Sequence, residues 1–200
     1  LAIDFTYNTN AIEGSKISLP ETRELIEHAI APNKQLSDIK ETEAHAQLFL
    51  AILEKKIPLT CELLLEWHRK LFSETKQDIA GKWREYRIRV GNYTASDWQE
   101  VPKRMKQFLQ WYLHNKTMHP VLLAARLHYR FEKIHPFGDG NGRAGRLLIN
   151  DILWHAGYPL LIIEYKKRKS YYHALTQSEE GFVQYFIRRY LKVHARYLKS

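Results

Sequence analysis

Positions 135 to 146 read His-Pro-Phe-Gly-Asp-Gly-Asn-Gly-Arg-Ala-Gly-Arg, which puts a titratable base, one carboxylate, several glycines and two arginines into one short stretch. Few chemistries other than phosphate handling need that mixture. Gly138, Gly140 and Gly142 remove side chains where a backbone must approach a ligand closely. A helix beginning near Asn141 aims unpaired N–H groups and the positive end of its dipole into the loop, which favours an anion there. Arg143 and Arg146 share a helical face and can grip phosphate oxygens as paired forks. Asp139 offers one hard oxygen donor, and Mg²⁺ characteristically combines one or two carboxylates with substrate phosphates. His135 is the group able to take a proton near neutral pH.

Helices must position this stretch. Pro120 opens a helix through Ala124, His128 and Phe131 that delivers the chain to His135. The helix after the loop carries Ala144, Leu148, Ile152 and Ala156 as an i+4 ridge and stops at Gly157, with Pro159 beyond it. Earlier helices are expected from the Ser18–Glu21 capping box through Leu25, Ile26, Ala29 and Ile30, from Ser37-Asp38 to Leu53, and from Thr60 to Leu71. Later ones run from Pro102 to Tyr112 and from about Phe182 to Tyr197. Thr9 to Gly14 reads as a helix end, with Gly14 at the C-cap. Glu13 then faces the negative end of the dipole and invites a cationic partner. Tyr86 to Val90 alternates apolar and basic residues before Gly91-Asn92 and resumes toward Trp98 and Val101, the pattern of a short hairpin. The fold class expected is all-α with one β-hairpin.

The length of 200 residues fits one domain. A start at Leu1 rather than Met points to a piece of a longer protein. No apolar run approaches the ~20 residues of a membrane span, so no membrane partner is expected. The lone Cys61 cannot form an internal disulfide, which suits a reducing, cytoplasmic setting. A formal charge of +9 suits a polyphosphate binder and permits nucleic acid. The basic clusters Lys103-Arg104, Lys166 to Lys169 and Arg188-Arg189 are separated along the chain, however, and no nucleic-acid recognition motif, zinc-ligand spacing or Walker-type loop accompanies them. His45, His128 and His173 show no metal-site spacing and read as structural.

The stretch 135–146 resembles the Fic motif, His-x-Phe-x-Asp/Glu-Gly-Asn-Gly-Arg-x-x-Arg, at every defined position, and the resemblance covers nearly the whole of residues 1–200. It implies a helical Fic domain that moves AMP from ATP to a hydroxyl of a target protein. By that resemblance His135 is the general base and Phe137 anchors the loop. Asp139 holds Mg²⁺ between the α- and β-phosphates, and Gly140, Asn141 and Gly142 form the anion cradle beside Gly138. Arg143 and Arg146 hold the β- and γ-phosphates. Residues 83–101 lie where the family carries a flap that pairs with an extended segment of the target. Residues 1–14 resemble the family's inhibitory helix, Ser/Thr-x-x-x-Glu-Gly/Asn, with Thr9, Glu13 and Gly14 at the defined positions. The implied role of Glu13 is to pair with Arg146 and block the γ-phosphate. Tyr172 corresponds to the tyrosine that stacks on adenine. Where relatives often have Asn seven residues later, this chain has Glu179, which departs from the pattern for base and ribose recognition. Asn150 is a candidate support for the phosphate region, with an exposed helix position the alternative. The partners implied are ATP and a target protein, and a second copy of the chain stays open. Two other readings use the same site: removal of AMP by a water that Glu13 orients, and a nucleotide-binding regulator without transfer.

Overall fold

A computed structural model describes residues 1–91 and 93–195, with Tyr93 and Thr94 described by backbone alone. The described chain is helical: α1 Ala2–Ile12, α2 Leu19–His28, α3 Leu36–Glu54, α4 Cys61–Phe72, α5 Val101–His114, α6 Pro120–Ile134, α7 Asn141–His155, α8 Arg168–Thr176 and α9 Glu179–Val193. Two short strands, β1 Arg89–Val90 and β2 Tyr93–Thr94, pair antiparallel, Arg89 opposite Thr94 and Val90 opposite Tyr93. No described helix is long and apolar enough to cross a membrane.

The centre of the fold is the α6–α7 pair. Ala124, Ala125, Leu127 and Phe131 of α6 and Ala144, Leu147 and Leu148 of α7 are fully buried. The small residues among them let the two helices approach, and the larger ones fill the core with Phe49 of α3, Leu64 of α4 and Phe182 of α9. Local chemistry fixes the helix ends. Ser18 and Glu21 form both bonds of the capping box on α2, and the Thr60 hydroxyl accepts from Leu63 N–H at 3.1 Å. Gly157 takes φ +79 just past α7.

Three boundaries differ from the sequence expectation. Helix α2 ends at His28, with Ala29 in the left-handed region and Ile30 56% exposed, because no core lies there to receive them. The hairpin is shorter than Tyr86 to Val90. Its carbonyl at Tyr86 is taken by a side chain instead of a strand partner. The last helix starts earlier, at Glu179, where the Ser178 hydroxyl accepts from Gly181 N–H at 3.2 Å. Asn92 and residues 196–200, which include the expected helix end at Tyr197, lie outside the described residues.

Candidate active site

Helix α6 stops at Ile134 because Pro136 cannot continue it. His135 then takes φ +52, a left-handed conformation that is uncommon and costly for a residue with a Cβ. The chain turns through the loop and re-enters a helix at Asn141. Gly140, at φ +77, has no room for a Cβ, which would enter the ring of Phe72. Asn141 closes this turn with a reciprocal pair: its Oδ1 accepts from Phe137 N–H at 2.8 Å, and its Nδ2 donates to Phe137 O at 2.9 Å. The Phe137 ring is fully buried, stacked on His68 with centroids 3.9 Å apart. Asn141 therefore offers an anion only its backbone, at the N-terminus of α7. Removing its amide leaves two buried backbone groups without partners. Asn141→Ala is accordingly expected to destabilise the fold by about 2–4 kcal/mol, read from chemical denaturation; a loss near zero would show that the loop does not depend on this pair.

His135 is largely buried. Its Nδ1 lies 3.3 Å from the carbonyl oxygen of Glu132, which can only accept, so Nδ1 carries the proton and Nε2 keeps its lone pair. Burial lowers the imidazole pKa and Arg84 adds to that, against the opposing effect of the Glu132 carbonyl. Burial also pushes the Glu132 carboxyl, 3.7 Å from Nδ1, up to about 8, so it does not hold the ring charged at neutral pH. The result is a neutral imidazole with one free nitrogen.

Asp139 sits among cations. Burial works to raise its carboxyl, but Arg143 and Lys76 outweigh it and hold the group below its ordinary value. Lys76 Nζ is 2.7 Å from Asp139 Oδ2 and 2.9 Å from Glu41 Oε1, and Glu41 pairs with Arg143. One ionised, partly exposed carboxylate suits a divalent cation that takes its other ligands from phosphate and water. Arg143 and Lys76 balance that charge, Lys76 at the shorter distance. No group of three or more carboxylates, histidines or cysteines gathers as a ready metal site among the described residues.

The two arginines part company. Arg143 turns to Glu41 on α3 and lies over the Phe72 ring at 4.6 Å. Arg146, 1% exposed, turns to the end of α1, donating to Glu13 Oε1 at 2.5 Å and to the Thr9 carbonyl at 3.2 Å. Its Nε and Nη1 are buried with no hydrogen-bond partner among the described residues. The negative end of the α1 dipole thus meets the cation the sequence asked for. Gly14 follows at φ +99. A Cβ at Gly142 would strike the Glu13 carboxylate and Arg146, so the glycine makes the space in which Glu13 lies at the N-terminus of α7. Glu13, Glu41, Lys76, Asp139 and Arg143 line a polar cleft of about 240 Å³. A larger groove of about 460 Å³, between Ile57, Tyr112, Leu123 and Asp151, is lined by none of the motif residues.

Residues 58–153 match the Fic/DOC family. Two curated relatives called protein adenylyltransferase Fic, from Nematostella vectensis and Drosophila melanogaster, are 34% and 35% identical over 91% of this chain. The chain belongs to the Fic family. It spans less than half the length of those relatives, 44% and 38%. A Fic domain containing signaling protein from Bacteroides thetaiotaomicron superposes with a TM-score of 0.87 at 28% identity, covering 96% of this chain and 84% of that one. Fic-1 (aa134–508) from C. elegans gives 0.86 at 28% identity, covering 98% and 62%.

Other residues of this Fic chain fall into place around the site. Tyr172 of α8, 43% exposed, donates its hydroxyl to Ile12 O at 3.2 Å and so lies beside the end of α1. Tyr171, before it, is core and bonds His128 at 2.7 Å. Glu179 faces elsewhere, paired with Arg126 at 2.8 Å and Arg130 at 3.2 Å, and ties α9 to α6. Asn150 is fully buried, not exposed, and clamps Leu161 through N–H and carbonyl bonds of 2.8 and 3.1 Å. His45 bonds the Thr6 hydroxyl in the core. Two basic clusters separated in sequence meet: Lys167, Arg188, Arg189 and Lys192 line one cleft.

Sequence reasoning missed Glu41, His68, Lys76 and Arg84. His68 Nδ1 accepts from Gly81 N–H at 3.0 Å, so its Nε2–H donates to the Asp139 carbonyl at 3.0 Å, and burial drops its pKa to about 4. No spacing rule joins residues so far apart. Arg84 alone left a trace, because it shares the phase of Tyr86, Ile88 and Val90, a cation on the apolar side of the alternation.

Proposed function

We propose that this chain is a protein adenylyltransferase whose Glu13 holds it inactive. The observation that carries the reading is the Glu13 carboxylate lying over Gly142 at the N-terminus of α7, paired with Arg146. A helix N-terminus with a buried arginine selects an anion, and here the chain supplies its own. The names of the relatives support the reaction class.

On this reading ATP lays its phosphates along the start of α7, with Tyr172 against the adenine. A target hydroxyl, aligned by an extended segment paired to the flap, gives its proton to His135 Nε2. Its oxygen bonds the α-phosphorus, and the bond from that phosphorus to the oxygen bridging to the β-phosphate breaks. Arg146, freed of Glu13, and Arg143 hold the charge on the departing pyrophosphate. Asp139 would hold Mg²⁺, which supplies charge neutralisation on the phosphates when bound. Positioning and charge stabilisation contribute most of the acceleration in such transfers.

The test uses Glu13→Gly protein with Mg²⁺, cell lysate and ATP labelled at either end. Label from the α-position is expected on protein and none from the γ-position. Protein labelled from the γ-phosphate would make the enzyme a kinase and end the proposal.

A further inference from the structure

Arg84 is 3% exposed, and no carboxylate lies within ion-pair distance of it among the described residues. Burial pulls its pKa down, against the weaker opposing effects of Asp97 and Tyr86. A buried cation with only neutral partners is costly unless its geometry is used. Among the described residues, all the hydrogen-bond partners of its guanidinium are backbone carbonyls. Nε donates to His135 O at 2.8 Å, Nη1 to Tyr86 O at 2.8 Å, and Nη2 to Ser96 O and to Ile134 O at 3.4 Å. The Arg84 N–H donates to Pro136 O at 2.9 Å.

These carbonyls fall into two sets. Tyr86 and Ser96 are the two legs of the hairpin, just outside the Ala95 N–H to Ile88 O bond of 3.0 Å that closes it. Ile134, His135 and Pro136 are the end of α6 and the left-handed turn that aims the imidazole. One planar guanidinium spans both sets. A lysine ammonium has no such fork and cannot reach the same carbonyls at once.

We propose that Arg84 is a positioning residue that couples the flap to the catalytic base, so that the conformation of the hairpin sets the seating of His135. This rests on the transferase reading for its purpose, but the linkage is measurable without transfer. A target strand that straightens the flap moves Tyr86 and Ser96, and through Arg84 it moves the His135 carbonyl. Arg84 therefore bears on the turnover of docked target and leaves nucleotide binding alone.

The groups facing His135 are Arg84 from the flap, Glu132 from α6, Glu13 from α1 and Asp139 from the loop. The experiment follows the His135 ring by NMR through a pH titration, in the wild type, Arg84→Gln, Arg84→Lys and Val90→Pro. Val90→Pro breaks the hairpin pairing at a distance from the base. Arg84→Gln, which removes the nearby charge, is expected to raise the His135 midpoint. Val90→Pro is expected to shift the ring resonances in the wild-type background and not in Arg84→Lys. In the Glu13→Gly background, Arg84→Lys should lower transfer about 10- to 100-fold while binding of Mg²⁺ with a non-hydrolysable ATP analogue stays within a few-fold. If Val90→Pro leaves the ring unchanged, or changes it equally with Lys at 84, the coupling is absent. If Arg84 variants do not fold, Val90→Pro alone decides. If Glu13→Gly protein transfers nothing while the ring still responds, the transferase reading fails and the linkage stands.

Discussion

Glu13→Gly is expected to raise transfer from α-labelled ATP about 5- to 150-fold, the range of a coupling free energy between one contact and one site. The carboxylate occupies Arg146 and the space over Gly142, so on the proposed reading its removal frees both for the nucleotide. Arg146→Ala breaks the same pair but on that reading also deletes the phosphate contact, so activity is expected to stay low. Adding Glu13→Gly to Arg146→Ala is then expected to restore little. That non-additivity is the mark of a directly coupled pair. Equal activation with and without Arg146 would show that Glu13 acts elsewhere. Failure to activate in either background, with acceptor present, would reduce α1 to scaffold.

His135→Ala in the Glu13→Gly background is expected to lower transfer about 10²- to 10⁴-fold, the usual worth of a positioned base. Affinity for Mg²⁺–ATP should remain within a few-fold, because the ring acts on the hydroxyl proton and not on the phosphates. The pH dependence follows from the same ring. A base works deprotonated, and burial lowers the His135 pKa from its ordinary value. Transfer should therefore rise with pH through a midpoint below about 6.5, the unperturbed histidine value. A profile still climbing above neutrality would mean that the group limiting the rate is not this imidazole.

The loop at 135–146 was legible in the sequence because the turn itself is made by consecutive residues, although His68, Phe72 and Arg84 brace it from far along the chain. The base, the turn glycines and the helix start are consecutive, and Asn141 finds its partner four residues back. That Glu13 needs a cationic partner was legible for a different reason: a carboxylate at the end of a helix is an electrostatic misfit that calls for a cation, while the choice of Arg146 came only from the resemblance to the Fic inhibitory helix. The cage around Asp139 was not legible. Glu41 reaches Arg143 across 102 residues and Lys76 reaches Asp139 across 63, and no periodicity encodes either. The hairpin was read too long because alternation records which side a residue faces, not where its backbone bonds go. At Tyr86 the carbonyl goes to Arg84. The same limit hid Asn150, whose place on α7 was visible while its buried clamp on Leu161 was not.

The order in which the two halves of the Glu13–Arg146 contact are made has a consequence for a newborn chain. The residues are 133 positions apart, and Glu13 comes first. At ~5–20 residues per second of synthesis, Arg146 follows it by roughly 7–27 s. The loop at 135–146 cannot be completed before the helix that bears Glu13 has already been made. On the autoinhibited reading, a ribosome never releases a finished site that lacks its guard, and activity must come later, from something that draws α1 away.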